Sequence, residues 1–535
     1  MNSNSTFPDP PEQLNIAEYF LDRRIDEGLG DHVAIYGHNG PSLTYKDVQN
    51  ASNRLANVFR DRGLEMENRV LIALPDCHEF VIAWFATLKC GAVFTMVNPR
   101  ATDADLEYTL NYTRAKILIT NYDIFVRVMR NFHQDKQTSC HLRHVLVVGE
   151  QVSGEQSYSD AIRHATPSFT NAVTHRDDVA GWLFTSGSTG HPKAAVHLHH
   201  DFVFNTERYA KYVLGINPRD RTLSVPRLYF GYATGTNLMF PFSVGASTVL
   251  FDAHPTADLM FSLIEQYRPT ILTAVPTMIA AMLAVPGAEN YDLSSLRACL
   301  SAGEALPEEL YRRWMNTFGV EILDGIGSAE MFHIYITNYP GQSIPGSVGK
   351  IVPGYKTRIV GPDGQDVEPG MIGTLWVNGD SAAVCYWHDH ERSKQCLRGD
   401  WVVTSDQFQL DNDGNYRYCG RLDDMLKVGG IFVSPVEIEN CLHEHVAVAE
   451  CAVVGYSEAG LTKPMAVVVV RDGVTPGSEL AEQLQAFVRS RLAPYKYPRK
   501  VLFVASLPKN DRGKLDRKTL SSIANSLDLS YQIHG

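Results

Sequence analysis

The segment from Thr185 to Lys193 combines glycines, hydroxyl groups and a basic side chain. It reads Thr185, Ser186, Gly187, Ser188, Thr189, Gly190, His191, Pro192 and Lys193. Glycine lets the backbone turn its N–H groups toward one point, which forms a site for an anion. The hydroxyl groups add hydrogen-bond donors, and the Lys193 ammonium adds a positive charge for the outer phosphates of a nucleotide. The segment therefore predicts a triphosphate cradle, with a plain glycine- and serine-rich turn as the alternative.

The pattern differs from that of the P-loop NTPases. Their loop ends in Gly-Lys followed by Ser or Thr, whose hydroxyl binds Mg²⁺. Here Pro192 precedes Lys193 and Ala194 follows it, so that hydroxyl is missing from its place. An apolar run from Val179 to Phe184 comes directly before the segment and predicts a buried strand. We expect a phosphate loop of another kind, attached to the end of a strand.

Other polar residues could complete a nucleotide site. The glycine-bearing segment 324–330 predicts a turn after an apolar strand, and its Glu330 could hold Mg²⁺ against the phosphates. Asp406 is predicted at the end of a strand, where a carboxylate suits two ribose hydroxyls. Arg421 offers a guanidinium fork to ribose or phosphate. Lys514 lies in a flexible turn near the C-terminus. Taken singly, these residues are equally typical of surface salt bridges, turns and solvated side chains.

The composition is that of an ordinary soluble enzyme. A length of 535 residues predicts about three or four folding units. The net charge of −12 argues against electrostatic binding to nucleic acid or to an anionic membrane. Nine cysteines without a CxxC pair argue against a zinc or dithiol site. The chain has no run of about 18 apolar residues and no signal-peptide pattern. We expect a cytoplasmic protein without nucleic-acid or membrane partners.

Strand-like and helix-like segments alternate along most of the chain, which predicts an α/β fold of parallel and mixed sheets covered by helices. The character changes near residue 420. A hairpin over 408–418 is followed by the polar break 420–424 and then by a small α+β pattern. We predict a large N-terminal domain over residues 1–422 and a small C-terminal domain over residues 423–535, with a hinge at Asp423.

Taken together, the motifs resemble those of the adenylate-forming superfamily, which includes acyl-CoA synthetases, peptide-synthetase adenylation domains and luciferases. The resemblance covers residues from about 15 to 520 and follows the family's motif order. It implies ATP, Mg²⁺ and CoA as cofactor and cosubstrates, a β-barrel-like subdomain in the large domain, and a mobile small domain. It further implies that residues 185–190, Gly303, Glu304, Asp324, Gly325, Ile326, Asp406 and Arg421 bind the nucleotide, that Glu330 binds Mg²⁺, that Lys193, Glu330 and Lys514 are catalytic, and that Lys427, Gly429 and Gly430 approach CoA.

Two positions depart from the family pattern. The family commonly has Tyr-Gly-x-Thr-Glu where this chain has Ile326, Gly327, Ser328, Ala329 and Glu330. Ile326 replaces the aromatic residue, so adenine stacking there is weaker or comes from another residue. Ala329 replaces a hydroxyl that would bond the α-phosphate, a loss worth roughly 1.5–3 kcal/mol. Such a loss would slow the reaction without abolishing it.

Within the superfamily the chain is most similar to benzoate-type aryl-CoA ligases, on residues 229–233, 324–328, 331–334 and 493–498. The similarity implies a small aromatic carboxylic acid as substrate: benzoate, or a substituted benzoate such as 2-aminobenzoate or hydroxybenzoate. Gly231 stands where the subgroup more often has alanine, which would leave room for a ring substituent. The similarity also implies that the acid pocket is lined by Gly231, Tyr232, Ala302, Gly327, Ser328, His333 and Ile334. Without the family context, His333 is equally typical of a core histidine.

Three alternatives stay open at this point. One is a stand-alone adenylation protein that loads an aryl acid onto a carrier protein. Another is a luciferase-like oxygenase, and the third is a non-enzymatic nucleotide-sensing protein on the same fold, for which the change at Ala329 is the motive. The oligomeric state is also open, with a homodimer as one candidate.

Overall fold

The structure is a computed structural model that describes residues 7–134, 141–185, 191–428, 431–458, 461–509 and 515–526. The chain forms a large α/β part built on three sheets and a small α+β part toward the C-terminus. Both parts follow the predicted fold class. None of the described helices combines the length and the apolar character that a membrane crossing requires.

The large part contains most of the strands. In chain order they are β1 Val33–Gly37, β2 Leu43–Thr44, β3 Arg69–Ala73, β4 Val93–Met96, β5 Ile117–Asn121, β6 His144–Val148, β7 Val179–Thr185, β8 Lys193–Leu198, β9 Arg221–Ser224, β10 Ser247–Leu250, β11 Ile271–Ala274, β12 Ala298–Ser301, β13 Ile322–Gly327, β14 Ile334–Thr337, β15 Lys350–Ile351, β16 Lys356–Val360, β17 Ile372–Asn378, β18 Cys385–Tyr386, β19 Leu397–Arg398, β20 Trp401–Leu410 and β21 Tyr416–Arg421.

Helices lie between these strands. The α-helices are α1 Arg23–Asp26, α2 Tyr45–Asp61, α3 His78–Lys89, α4 Asp103–Thr113, α5 Tyr122–Gln134, α6 Tyr158–Arg163, α7 His199–Asn205, α8 Gly231–Thr234, α9 Phe240–Val244, α10 Ala257–Tyr267, α11 Pro276–Ala284, α12 Glu308–Phe318 and α13 His390–Cys396. Three π-helical segments span Glu18–Asp22, Thr206–Val213 and Gly235–Met239, and 3₁₀ turns span Gly154–Gln156, Ala288–Asn290, Ala329–Met331 and Leu422–Asp424.

The small part has its own sheets and its own apolar core. Helix α14 begins as its sequence dictates, because Pro435 needs no N–H partner at the first helical position and the Ser434 hydroxyl accepts from the N–H of Glu437 at 3.2 Å. The elements are β22 Leu426–Val428, β23 Ile431–Val433, α14 Pro435–His443, β24 Val448–Glu458, β25 Leu461–Val470, α15 Ser478–Arg489, β26 Lys500–Phe503 and α16 Arg517–Ser526.

Two large sheets carry the predicted phosphate loop and the predicted segments at 303–304 and 324–326. The seven-stranded sheet has the order β18-β8-β7-β4-β3-β5-β6, and the nine-stranded sheet has the order β15-β14-β13-β12-β11-β9-β10-β1-β2. Strands β3 to β7 of the first sheet pair in parallel, as their unbroken apolar runs predict. The third sheet, of β16, β17, β19, β20 and β21, is antiparallel and corresponds to the predicted β-barrel-like subdomain.

Two local predictions were wrong. Residues 324–327 do not form a turn after a strand, because β13 continues to Gly327 and pairs antiparallel with β14, with Gly325 opposite Thr337. The turn comes later, at Ala329–Met331. Likewise Asp406 does not end a strand, because β20 runs on to Leu410 and pairs with β21. In both cases a partner strand extends the element through residues of weak strand propensity.

Candidate active site

Strands β7 and β8 hold the two ends of the predicted phosphate loop beside each other. They pair antiparallel, and the register places Thr185 opposite Lys193. Both residues lie at the carboxyl end of β7, which runs parallel to β4. In α/β sheets this is the edge at which ligands bind. The predicted loop residues Ser186, Gly187, Ser188, Thr189 and Gly190 lie outside the described residues.

The ammonium group of Lys193 is held by a carboxylate from a distant part of the chain. Its Nζ lies 2.7 Å from Oδ2 of Asp389. The other oxygen of Asp389 accepts from the backbone N–H of Arg392 at 3.1 Å and so caps helix α13. The hydrogen bond from Lys193 lowers the pKa of Asp389 below its ordinary value. Asp389 is therefore ionised at neutral pH and forms an ion pair with Lys193 at the end of the loop.

Glu330 lies on the 3₁₀ turn that follows β13, and the turn is fixed from two sides. The hydroxyl of Tyr386 donates to Oε1 of Glu330 at 2.5 Å. The backbone N–H of Ala383 donates to the carbonyl oxygen of Glu330 at 2.7 Å. Burial, and then the charge of Glu330, raises the pKa of Tyr386, so its hydroxyl stays protonated and remains a donor.

One oxygen of the Glu330 carboxylate remains for a cation. Oε1 accepts from Tyr386, whereas Oε2 makes no hydrogen bond to the other residues that the structure describes. The described parts of the chain contain no group of three or more His, Cys, Asp or Glu side chains that could hold a metal ion by themselves. Mg²⁺ is often bound by one or two carboxylates together with substrate phosphates. The donor set thus fits a Mg²⁺ ion shared with a nucleotide.

The two predicted ribose-binding residues lie opposite each other on neighbouring strands. The register of β20 and β21 pairs Asp406 with Arg421. Nε of Arg421 is 3.9 Å from Oδ1 of Asp406, and the guanidinium also donates to the hydroxyl of Ser405. A carboxylate beside a guanidinium offers both an acceptor and donors to a diol. The structure thus brings these two residues together.

The segment predicted to pass beside adenine follows β12. Ala302 is buried, whereas Gly303 is exposed and has φ of 88°, in the left-handed region that favours glycine. Oε2 of Glu304 accepts from the hydroxyl of Thr277 at 2.7 Å and from its backbone N–H at 3.1 Å. Glu304 is therefore fixed to the first turn of α11, and Gly303, which precedes it, is exposed.

Tyr232 and His333, two of the residues predicted to line the acid pocket, lie beside each other. Their ring centroids are 5.3 Å apart, and Nε2 of His333 lies 3.0 Å from the carbonyl oxygen of Tyr232. Burial lowers the pKa of His333 to about 3, so the ring is neutral and its one proton lies on Nε2. Nδ1 of His333 and the hydroxyl of Tyr232 are buried and make no hydrogen bond within the described structure. The pocket thus contains one acceptor and one donor without a partner.

Small residues let the elements around this pair approach closely. A methyl group on Gly231 would come 3.2 Å from Cδ1 of Leu183. A methyl group on Gly327 would lie 2.5 Å from the carbonyl oxygen of His333, so only glycine lets β13 and β14 pack here. Ile334 is buried on the neighbouring strand. Gly231 therefore fits against a leucine side chain, a contact that the sequence does not reveal.

Asp324 is a buried acid on β13, the strand that pairs with the strand after His333. It is 6% exposed and interacts electrostatically with Tyr209 and Tyr232. Burial raises the pKa of Asp324 to about 8, so the side chain is mostly protonated at neutral pH. The predicted role of Asp324 in nucleotide binding remains a prediction, as do the roles of Gly325, Ile326 and Ser328.

In the small part the structure describes some of the predicted residues. Asp423 lies in the 3₁₀ turn Leu422–Asp424 and is exposed, as expected of a hinge. Lys427 is exposed on β22. Gly429, Gly430 and Lys514 lie outside the described residues.

Two family models match the chain. The model described as AMP-binding enzyme matches residues 21–387, and the model described as AMP-binding enzyme C-terminal domain matches residues 437–514. The first match alone spans more than half of the sequence. The chain belongs to the AMP-binding enzyme family. The predicted superfamily is thereby confirmed, while the boundary at Asp423 falls between the two matches and stays a prediction.

Full-length relatives support the assignment of this AMP-binding enzyme. A benzoate–CoA ligase of Thauera aromatica is 39% identical over 96% of both chains. The crystal structure of the anthranilate CoA ligase AuaEII in complex with anthranoyl-AMP is 37% identical, with a TM-score of 0.91 over 98% of this chain and 99% of that one. A benzoate CoA ligase from Burkholderia xenovorans LB400 is 37% identical, with a TM-score of 0.87 over 95% and 100%. The fold class is confirmed.

The sequence of this AMP-binding enzyme did not indicate the residues that contact Glu330 and Lys193. Tyr386 is 56 positions from Glu330, and Asp389 is 196 positions from Lys193. Asp389 does carry a local signal, because an aspartate before a polar helical segment indicates an N-cap. That signal gives the start of α13 but not the lysine that the carboxylate contacts.

Proposed function

We propose that the protein is an ATP-dependent aryl acid–CoA ligase, which converts benzoate or a substituted benzoate, ATP and CoA into aryl-CoA, AMP and pyrophosphate. The observation that carries the proposal is the short separation of two groups along the chain. Glu330 has a carboxylate oxygen without a hydrogen bond to the other described residues, and His333, three positions later, lies in a buried cluster of aromatic rings. A triphosphate at Glu330 would meet an aromatic acid whose ring lies beside His333.

The first step overcomes the poor reactivity of a carboxylate. Its oxygen attacks the α-phosphorus of ATP, which forms an aryl adenylate and releases pyrophosphate. Negative charge builds up on phosphate oxygens during this attack, so fixed positive groups and N–H donors accelerate it. Lys193 supplies one such charge, and the family resemblance assigns Lys514 to the same step.

The other residues of the site orient the nucleotide. Asp406 and Arg421, paired across two strands, would bind the ribose hydroxyls. Glu330 would hold Mg²⁺, and bound Mg²⁺ would neutralise charge on the phosphates. Tyr386 fixes the direction of the Glu330 carboxylate by its hydrogen bond. None of these residues enters a covalent bond, so catalysis would rest on position and charge.

The second step transfers the aryl group to CoA. The CoA thiolate attacks the carbonyl carbon of the adenylate, and AMP leaves with the bonding electron pair. By family resemblance the small domain rotates about Asp423 between the steps. This motion would remove Lys514 and bring Lys427, Gly429 and Gly430 toward the pantetheine arm, where glycine lets it pass close to the backbone.

Two buried polar atoms without partners in the predicted pocket favour a substituted ring over an unsubstituted one. Nδ1 of His333 lacks a donor and the Tyr232 hydroxyl lacks an acceptor among the described residues. A buried polar group without a partner costs roughly 1–3 kcal/mol. An amino or hydroxyl substituent could donate to Nδ1 and recover part of that cost. We therefore propose aminobenzoate or hydroxybenzoate as preferred over benzoate.

The test is an assay of AMP release with a panel of acids: benzoate, the aminobenzoates, the hydroxybenzoates and a medium-chain fatty acid. We expect release that depends on an aryl acid, ATP, Mg²⁺ and CoA together, with an aryl-CoA product seen by mass spectrometry. Absence of release with every aryl acid would contradict the proposal. Aryl adenylate that forms but does not react with CoA would instead favour a carrier protein as the acceptor.

A further inference from the structure

His197 connects β8, the strand that follows the predicted phosphate loop, to the turn that carries Glu330. It lies on β8, four positions after Lys193, so both side chains project from the same face of the strand. Its side chain is 0% exposed. Nε2 of His197 lies 2.6 Å from the carbonyl oxygen of Ala329, the residue before Glu330. The side chain therefore bridges the two segments that are proposed to contact the triphosphate.

The partners of His197 determine where its protons lie. The carbonyl oxygen of Ala329 can only accept, so Nε2 must carry a proton. Nδ1 lies 2.8 Å from Oδ2 of Asp201, which also accepts from the N–H of Leu198 at 3.0 Å. Two lone pairs would repel at that distance, so a second proton lies between Nδ1 and Oδ2. The pair thus presents a fixed N–H to the carbonyl oxygen of Ala329.

We propose that His197 is a positioning residue that holds the Ala329–Glu330 peptide, and with it the Glu330 carboxylate, at a fixed position relative to Lys193. The inference rests on the proposed function, since it assumes that Glu330 binds Mg²⁺ with ATP. The carbonyl of Ala329 and the N–H of Glu330 belong to one planar peptide group. Fixing that carbonyl therefore fixes the backbone from which the carboxylate extends.

The position of the Ala329–Glu330 peptide is important in this chain because the side chain of Ala329 cannot contact the triphosphate by a hydroxyl. Ala329 has no hydroxyl, so this turn can contribute to the triphosphate only through its backbone and through Glu330. Tyr386 holds the carboxylate end, and His197 holds the peptide end. Groups that orient a metal ligand in this way typically change metal affinity or activity by about 10–100-fold when they are removed.

Two substitutions separate the contacts of His197. A glutamine amide nitrogen occupies about the place of Nε2, so His197→Gln retains a donor for the carbonyl of Ala329. An asparagine amide nitrogen occupies about the place of Nδ1, so His197→Asn retains only the contact with Asp201. We expect His197→Asn to weaken the binding of Mn²⁺ with α,β-methylene-ATP by about 10–100-fold, measured by electron paramagnetic resonance, while His197→Gln changes it by less than about threefold.

His199→Asn is the matched control. This second buried histidine accepts from the N–H of Ile16 at 3.3 Å, and asparagine can retain that contact. We expect wild-type Mn²⁺ binding in this variant. Thermal melting checks the fold of all three variants, and the reaction of supplied aryl adenylate with CoA, which does not need Glu330, should proceed at the wild-type rate in His197→Asn.

Wild-type Mn²⁺ binding in His197→Asn would overturn the inference. Equal losses in His197→Asn and His197→Gln would overturn it as well, because they would indicate a general packing defect. The readout also separates the two proposals. If the wild-type protein binds Mn²⁺ with the ATP analogue but releases AMP with no aryl acid, the proposed substrate is wrong, and the inference on His197 is still decided by the binding data.

Discussion

The carboxylate of Asp389 lies 2.7 Å from the ammonium group of Lys193, and the hydroxyl of Tyr386, three positions earlier, lies 2.5 Å from the carboxylate of Glu330. A single short segment, from the end of β18 to Asp389, therefore contacts both charged side chains that are proposed to meet the triphosphate. This segment is separated from both of them in the sequence. Its two contacts give two predictions about ATP.

The first prediction concerns Asp389→Asn. The carboxylate pairs with Lys193 and repels a nearby triphosphate, whereas an asparagine oxygen could still accept from the N–H of Arg392 and cap α13. A partly exposed ion pair is worth up to about 1 kcal/mol. We expect KM for ATP to fall by up to about fivefold, measured by pyrophosphate exchange. Lys193→Met is the control, and it should raise KM. A higher KM in Asp389→Asn would indicate that Asp389 orients Lys193 and does not compete for it.

The second prediction concerns Tyr386→Phe. This change removes only the hydroxyl that donates to Glu330. A hydrogen bond to a charged group contributes roughly 1.5–3 kcal/mol, so we expect adenylate formation to slow by about 10–100-fold. The reaction of supplied adenylate with CoA should keep its rate. Quenched-flow assays of the two half-reactions measure the difference, and equal slowing of both would contradict a role at Glu330.

More of the fold than of the site could be predicted from the sequence. Apolar runs such as β3 and β7 are local signals, and they gave the parallel sheet correctly. The extents of β13 and β20 were predicted wrongly. Aspartate and glycine residues such as Asp324, Gly325 and Asp406 indicate turns, but here a partner strand extends each strand through them. The contact of His197 with Ala329 spans 132 positions, and no local pattern indicates it. Long-range contacts of this kind are decided by packing alone.

The third prediction concerns stability and pH. The pKa of His333 is about 3 in the folded protein, against an ordinary value of 6.5 in the unfolded chain. Below pH 6.5 the unfolded chain binds a proton that the folded protein does not, so stability falls as the pH falls from 6.5 toward 3. From pH 7 to pH 5 the contribution amounts to about 2 kcal/mol. Between pH 7 and pH 5 we expect the free energy of unfolding of His333→Phe to fall by about 2 kcal/mol less than that of the wild type, as measured by urea unfolding of the large part. Parallel curves for both proteins would contradict a neutral, buried His333.

The fourth prediction concerns ring selectivity. A substituent that donates to Nδ1 of His333 satisfies a buried acceptor, which is worth roughly 1–3 kcal/mol, or about 5- to 150-fold in kcat/KM. We expect one aminobenzoate or hydroxybenzoate isomer to exceed benzoate by a factor in this range. In His333→Phe the advantage should disappear while benzoate remains a substrate. An unchanged preference in the variant would mean that another group recognises the substituent.

The fifth prediction concerns the hinge. Asp423 lies in an exposed 3₁₀ turn between β21, which carries Arg421, and β22, which carries Lys427. Proline fixes φ near −65°, so Asp423→Pro should prevent the backbone rotation that moves the small domain between the two half-reactions. We expect aryl adenylate to form at a rate near that of the wild type, and its transfer to CoA to slow on the order of tenfold or more. Lys514→Ala should show the opposite pattern, with slow adenylation and unchanged transfer from supplied adenylate. Transfer at the wild-type rate in Asp423→Pro would exclude rotation at this residue.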